Sequence, residues 1–112
     1  METNLEVVGN VAVLELLADA VDVSNADDVR SVLIELVSAH PKLVLDLNRV
    51  RFLDSTGCGA VVEANSRFRA AGGELRLCNP ASEVKTVLEL ARLTRILSLY
   101  DTREQALAGF GA

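Results

Sequence analysis

The sequence has few of the residues that build metal centres and disulfide frameworks. Its 112 residues include two cysteines, one histidine, two prolines and no tryptophan. Cys58 and Cys78 lie far apart and lack the paired spacing of zinc ligands. They could form one disulfide, but the small apolar neighbours of each favour two buried free thiols. A chain of this length is expected to form a single domain, residues 1–112.

Positive charge is also scarce. There are 11 Lys and Arg against 16 Asp and Glu, which gives a net charge of −5. This sign is opposite to the one that a phosphate backbone attracts. The three phenylalanines and one tyrosine are scattered and offer no platform on which bases could stack. We therefore expect no nucleic-acid partner.

Long apolar runs are missing as well. No uninterrupted run approaches the roughly 20 residues that cross a bilayer. The first residues, Met1–Glu6, carry two acids and no apolar segment of the kind that begins a secreted protein. Together with the expected free thiols, this predicts a cytoplasmic protein without membrane contact.

Short apolar runs do occur, and they alternate with amphipathic segments. Leu5–Val8 and Val11–Leu17 flank Gly9 and Asn10, a pattern that predicts a β-hairpin. Leu43–Leu47 predicts a central strand covered on both faces. Periodicity predicts helices over about 26–37, 57–71, 81–92 and 102–108, and further strands over 74–79 and 96–100. This order predicts an α/β fold with a mixed, mostly parallel sheet, an antiparallel edge hairpin strand and about four helices.

Two of these helices have a clear apolar face. In the helix after the central strand, the predicted core residues are Gly57, Val61, Ala64, Phe68 and Ala71, whereas Glu63, Arg67 and Arg69 lie largely off that face and predict a solvated surface. In the next helix the predicted inward residues are Val84, Val87, Leu88 and Ala91. Ser24 or Asn25 is predicted to cap the first helix. His40 and Pro41 are predicted to stop it, and Gly72 and Gly73 to stop the second.

The stretch that is most informative about function is Phe52–Gly59, between the central strand and its helix. Ligands and reacting groups gather at such turns in open α/β sheets. Asp54, Ser55 and Thr56 are all N-cap residue types, and the two glycines allow a second backbone to approach. A phosphate on Ser55 would face unpaired N–H groups and the positive end of the helix dipole. Capping alone would select the same residues, so spacing leaves both interpretations open.

Catalytic chemistry has little support in the sequence. No histidine or lysine lies near Ser55 to activate it, and His40 is expected at the surface. The glycines lack the Lys-Ser/Thr pair that completes a phosphate-binding loop. We therefore expect a protein that is not an enzyme and that uses no metal or cofactor. A nucleotide or small ligand at the same helix start is a further interpretation, which titration with ATP or GTP would test.

These stretches together resemble the STAS domain family and, within it, the bacterial anti-sigma factor antagonists. The residues that carry the resemblance are Leu43–Leu47, Phe52–Gly59, Ala71–Leu75, Ile96–Leu97 and Glu104–Leu107. The resemblance runs from about Leu5 to Phe110. It implies the same α/β fold as the element order does.

The resemblance implies a regulatory role for Ser55. In that family the matching serine is phosphorylated by an anti-sigma factor that is itself an ATP-dependent serine kinase; Thr56 is the second candidate. The unphosphorylated antagonist holds the anti-sigma factor, the phosphorylated one releases it, and a PP2C-type phosphatase is an implied further partner. The partner-binding residues implied by position are Asp22, Ser24, Asn25, Asp54, Thr56 and Gly57.

The chain departs from the family pattern at two points. No glycine stands in the loop Asp19–Asp22, and Cys58 replaces the larger apolar residue that usually separates the two glycines. Neither change removes the acceptor hydroxyl of Ser55. The alternative is a STAS subunit with a structural or assembly role in a stress-signalling or lipid-transport complex, in which Ser55 is only a helix cap.

Overall fold

The structure, a computed structural model, describes residues 1–110 and has an α/β fold with four α-helices over those residues. The strands are β1 (Thr3–Val8), β2 (Val11–Leu16), β3 (Ala20–Val21), β4 (Lys42–Asp46), β5 (Phe52–Leu53), β6 (Glu74–Cys78) and β7 (Ser98–Tyr100). The helices are α1 (Ala26–Glu35), α2 (Ser55–Ala70), α3 (Ser82–Leu90) and α4 (Arg103–Ala108), with a short 3₁₀ helix at Leu93–Arg95. The predicted fold class is confirmed.

The main sheet has five strands in the order β1-β2-β4-β6-β7. β1 and β2 are antiparallel and form the predicted hairpin, in which Val8 lies opposite Val11. Gly9 closes the turn with a φ of 63°, a value that glycine adopts without a steric penalty. All other neighbours in this sheet are parallel. β4 is central, and its residues from Leu43 to Asp46 are buried, as a strand covered on both faces should be.

The two faces of the sheet are covered unequally. α1, α2 and α3 cover one face, where Phe68 of α2 is the largest fully buried side chain. The short helix α4 covers the other face and packs Ala106 against Val13, Val44 and Cys78. Burial of apolar surface between these layers supplies the main stabilising force.

Gly72 ends α2 as predicted. Its φ is 80°, and its N–H donates to the carbonyl of Arg69 while Gly73 N–H donates to that of Phe68. This pair of bonds is the Schellman arrangement, which satisfies carbonyl groups that the helix leaves unpaired.

The sequence interpretation missed the 3₁₀ helix at Leu93–Arg95 and a second sheet. β3 and β5 pair in parallel as a second, two-stranded sheet, within segments whose composition predicts loops. A strand of two residues has no periodicity to detect. Their pairing places the end of β3 beside the start of α2, where Ser55 lies.

Several predicted boundaries and faces were wrong near element ends. Ala71 and Ala91 are exposed because they are the C-cap residues of α2 and α3 and lie beyond the last buried turn. Ile96 follows the 3₁₀ helix and is exposed, so β7 begins only at Ser98. α1 ends at Glu35, and turn residues rather than helix lead to His40 and Pro41.

Candidate functional site

Asp54 sets the start of α2 and the position of the two hydroxyl residues after it. It is the N-cap, and its Oδ1 accepts a hydrogen bond from Gly57 N–H at 2.8 Å. This bond satisfies one of the donors that a helix start leaves unpaired. Ser55 and Thr56 follow in the first turn, and both are exposed. The structure therefore places the predicted acceptor hydroxyl of Ser55 where a second protein can reach it.

The second oxygen of Asp54 holds a neighbouring loop. Its Oδ2 accepts a hydrogen bond from Val23 N–H at 3.2 Å, and Asp54 N–H donates to the carbonyl of Val21 at 3.2 Å. The loop that contains Asp22, Ser24 and Asn25 thus lies against the start of α2. These two segments, well separated in the sequence, form one surface.

Gly57 makes this close approach possible. A Cβ at this position would lie 2.3 Å from the carbonyl oxygen of Val21 and 2.8 Å from Leu53 Cδ1, far inside van der Waals contact. Gly59 is also predicted to admit another backbone, but a Cβ added there would have no neighbour within 4 Å among the described residues. Only the first glycine of the motif is therefore required by the packing of this chain.

The loop Asp22–Asn25 is held by its own side chains. Asp22 Oδ1 accepts from Ser24 N–H at 2.9 Å and from Ser24 Oγ at 2.5 Å, and these bonds lower the pKa of the Asp22 carboxyl. Asn25 occupies the N-cap position of α1 without bonding the helix. Its side chain instead accepts from Asp22 N–H at 2.9 Å and donates to the carbonyl of Ala20 at 2.8 Å. The predicted capping position is right, but the side chain stabilises the loop.

Two exposed apolar side chains that sequence reasoning did not single out border this surface. Val23 is 78% exposed and Phe52 is 54% exposed. Val23 belongs to the loop bonded to Asp54, and Phe52 precedes Asp54 by two residues on β5. Exposed apolar groups beside polar ones are typical of protein contact surfaces. In the sequence, Val23 could have been recognised as a contact residue because it is apolar and lies within a polar loop.

Both cysteines are buried free thiols, in agreement with the sequence interpretation. Burial raises the pKa of Cys58, and the carboxylate of Asp54 raises it further. A thiol with a raised pKa is a poor nucleophile at neutral pH. Cys58 therefore fills space behind the start of α2.

The described part of the chain offers neither a metal site nor a membrane-spanning helix. Across residues 1–110, no three His, Cys, Asp or Glu side chains lie close enough together to hold a metal ion. No helix within the same residues combines the length and the apolar character needed to cross a bilayer.

The fold and this site define a small α/β domain that presents, at one end of its sheet, a serine hydroxyl and a loop hydrogen-bonded to Asp54. The chain belongs to the STAS family, since the model of the STAS domain matches residues 2–106. This match covers both the Asp54–Gly57 turn and the loop Asp22–Asn25.

Known proteins with similar sequence and structure agree with this assignment. The chain is 28% identical over 93 residues to the anti-sigma F factor antagonist of Paenibacillus polymyxa, covering 81% of this chain and 80% of that protein. An anti-sigma factor antagonist from Mycobacterium paratuberculosis superposes with a TM-score of 0.85 at 23% identity, over 96% of this chain and 92% of that one. The Bacillus cell fate determinant SpoIIAA in its phosphorylated form gives a TM-score of 0.70 at 22% identity, over 97% of this chain and 99% of that one.

Proposed function

We propose that this protein is a cytoplasmic anti-sigma factor antagonist that is switched by phosphorylation of Ser55. In the unphosphorylated state it binds an anti-sigma factor serine kinase, and in the phosphorylated state it releases that partner. It acts as ligand and substrate and carries no catalytic role of its own. The observation that carries the proposal is the exposed Ser55 at the start of α2, next to a loop fixed by Asp54.

The helix start can accept a phosphoryl group. Asp54 Oδ1 already binds Gly57 N–H, and the carbonyl of Asp54 binds Cys58 N–H. Among residues 1–110, the N–H groups of Ser55 and Thr56 have no hydrogen-bond partner, so two donors and the positive end of the helix dipole face the added anion.

The proposed partner surface explains why phosphorylation releases the partner. It consists of the loop residues Asp22, Ser24 and Asn25, the turn residues Asp54, Thr56 and Gly57, and the exposed Val23 and Phe52. Phosphorylation adds about −1.5 to −2 charges at pH 7 to a protein whose net charge is already −5. Desolvating that charge against an apolar or acidic partner face is costly.

The transfer itself is the work of the partner. The γ-phosphorus of ATP forms a bond to Ser55 Oγ while its bond to the bridging oxygen breaks, ADP leaves, and a base of the kinase takes the hydroxyl proton. A PP2C-type phosphatase would hydrolyse the same ester with water and restore the binding state.

The decisive experiment incubates the full chain with an anti-sigma factor kinase from the same organism and Mg-ATP, and measures intact mass. Wild type is expected to gain one phosphate and Ser55→Ala none. Ser66→Ala, a change of an exposed serine on the same helix, should gain one, as should Thr56→Ala. Full phosphorylation of Ser55→Ala, or its loss only in Thr56→Ala, would contradict the assignment to Ser55.

Partner affinity gives an independent readout. Ser55→Asp is expected to weaken binding of the anti-sigma factor by at least about tenfold, or about 1.4 kcal/mol, whereas Ser66→Asp should leave it unchanged. If the wild-type chain gains no phosphate and isolates only with a transporter ATPase or a large multi-subunit assembly, the structural STAS role is the correct one.

A further inference from the structure

A cavity lies at the far end of α2 from Ser55. The last turns of α2, the first residues of β6 and the segment Arg95–Ser98 line it, and its volume is about 400 Å³. This volume lies within the range of small-molecule sites in proteins. Along the helix, Ser55 and Arg69 are separated by about 21 Å at 1.5 Å per residue. The cavity is therefore separate from the proposed partner surface and its role does not depend on the proposed function.

Asn65 places a side-chain amide on the wall of this cavity. Its side chain lines the cavity although the residue is only 5% exposed. Within residues 1–110 the amide makes no hydrogen bond, while every fully buried side-chain polar atom described there has a partner. The amide of Asn65 is therefore not sealed from solvent, and it lies on the wall of the cavity. A ligand in the cavity would give this amide a hydrogen-bond partner in place of solvent.

Two guanidinium groups give the cavity its charge. Arg69 lies one helical turn after Asn65 on the same side of α2, and Arg95 ends the 3₁₀ helix. Over the described residues, neither has a carboxylate within ion-pair distance. The lining carboxylate is that of Glu74, whose Oε2 is already bound to Arg76 Nε at 2.6 Å.

The local field favours an anion despite the overall negative charge of the protein. The C-terminal end of α2 contributes about half of a negative charge, which two unpaired guanidinium groups exceed. The charge at the cavity therefore favours an anion, whereas the net charge of −5 would attract cations from a distance.

We propose that this cavity binds a small organic phosphate. Arginine binds phosphate through pairs of parallel N–H···O bonds, so Arg69 and Arg95 would hold the phosphoryl oxygens. The amide of Asn65 and the hydroxyl of Ser98 provide further polar contacts, and the exposed Ile96 offers apolar surface to the uncharged part of the ligand.

The test is a calorimetric titration of the full chain with glucose 6-phosphate, inorganic phosphate and glucose. Glucose 6-phosphate is expected to bind more tightly than inorganic phosphate, and glucose should not bind. Arg69→Gln and Arg95→Gln should each weaken binding at least about tenfold, since each removes charge-assisted hydrogen bonds. Arg67→Gln is the matched control, because Arg67 is exposed on the same helix and does not line the cavity.

The proposal would be overturned by no binding of glucose 6-phosphate, by equal weakening by Arg67→Gln and Arg69→Gln, or by tighter binding of glucose. The backbone amide shifts of a labelled sample locate the ligand. Shifts at residues 65, 69 and 98 support this cavity, whereas shifts confined to residues 55–57 place the anion at the other end of α2 and contradict it. Thermal unfolding of each variant verifies that the arginine changes leave the fold intact.

Discussion

The two glycines of the Asp54–Gly59 turn should respond to the same substitution with opposite sign. Gly57→Ala places a methyl group 2.3 Å from the carbonyl oxygen of Val21 and 2.8 Å from Leu53 Cδ1. Leu53 Cδ1 can turn aside, but the carbonyl cannot move without cost, because Val21 is fully buried and its oxygen accepts from Asp54 N–H. Gly59→Ala introduces the same methyl group where no described atom lies within 4 Å.

The expected magnitudes follow from helix propensity and overpacking. Replacing glycine by alanine inside a helix is favourable by up to about 1 kcal/mol. Overpacking typically costs about 1–3 kcal/mol, and a backbone obstacle places Gly57→Ala at the upper end. The free energy of unfolding should therefore fall by about 1–2 kcal/mol in Gly57→Ala. It should rise by about 0.5–1 kcal/mol in Gly59→Ala.

Urea denaturation of wild type and both variants measures these differences directly. A gap of about 2 kcal/mol between the variants also corresponds to about 8 °C in the midpoint of thermal unfolding for a domain of this size. If Gly57→Ala proves as stable as Gly59→Ala, the contact between the loop and α2 is looser than these distances imply. Gly57 is then not the residue that lets the two halves of the proposed partner surface meet.

Three further predictions concern the opposite face of the sheet. Burial raises the pKa of Cys78 to about 12, and Asp46 adds to the shift. A disulfide reagent at pH 8 should therefore label Cys78 only after the protein unfolds. Rapid labelling of the folded protein would contradict this prediction. Because the pKa of this thiol in the folded state lies above its ordinary value of 9.0, stability should fall as pH rises between these values. Arg76 donates to the carbonyls of Ala106 and Gly109 and lies 4.1 Å from the ring centroid of Phe110. Arg76→Leu should therefore lower the free energy of unfolding by about 2–3 kcal/mol and speed hydrogen exchange in α4. Unchanged exchange in α4 would show that Arg76 does not hold this helix in place.

The elements that the sequence predicted well are those whose signal is local. The aliphatic run Leu43–Leu47 forms the buried centre of the sheet because only a strand covered on both faces places consecutive apolar residues inside. Gly72 ends α2 because its positive φ suits the residue after a helix. The helix start near Ser55 also followed locally, from three consecutive N-cap residue types, but the sequence left the cap open; the structure assigns it to Asp54, so Ser55 is the first helical residue and not the cap.

The features that the sequence did not predict depend on contacts between distant segments. Asn25 has the composition of a cap, yet its amide bonds the loop, since the chain bends back toward Ala20. The pairing of β3 with β5 joins segments of two residues each, too short for any pattern. Helical periodicity correctly assigns Arg69 to a solvated face, but it cannot show that the distant segment Arg95–Ser98 forms a cavity with this residue.

The same contacts constrain how a phosphate on Ser55 can act. Asp54 already occupies the N–H groups of Gly57 and Val23, so the phosphoryl group is left with those of Ser55 and Thr56. Neither bond of Asp54 has to break to admit it. The loop Asp22–Asn25 would then keep its position in both states, and the partner would sense added charge and bulk on an otherwise unchanged surface. A release mechanism that required the loop to move would have to open the bonds that join it to the helix start, from Val23 N–H to Asp54 Oδ2 and from Asp54 N–H to the carbonyl of Val21. A phosphoserine adds acceptor oxygens and supplies no replacement donor for Asp54 Oδ2.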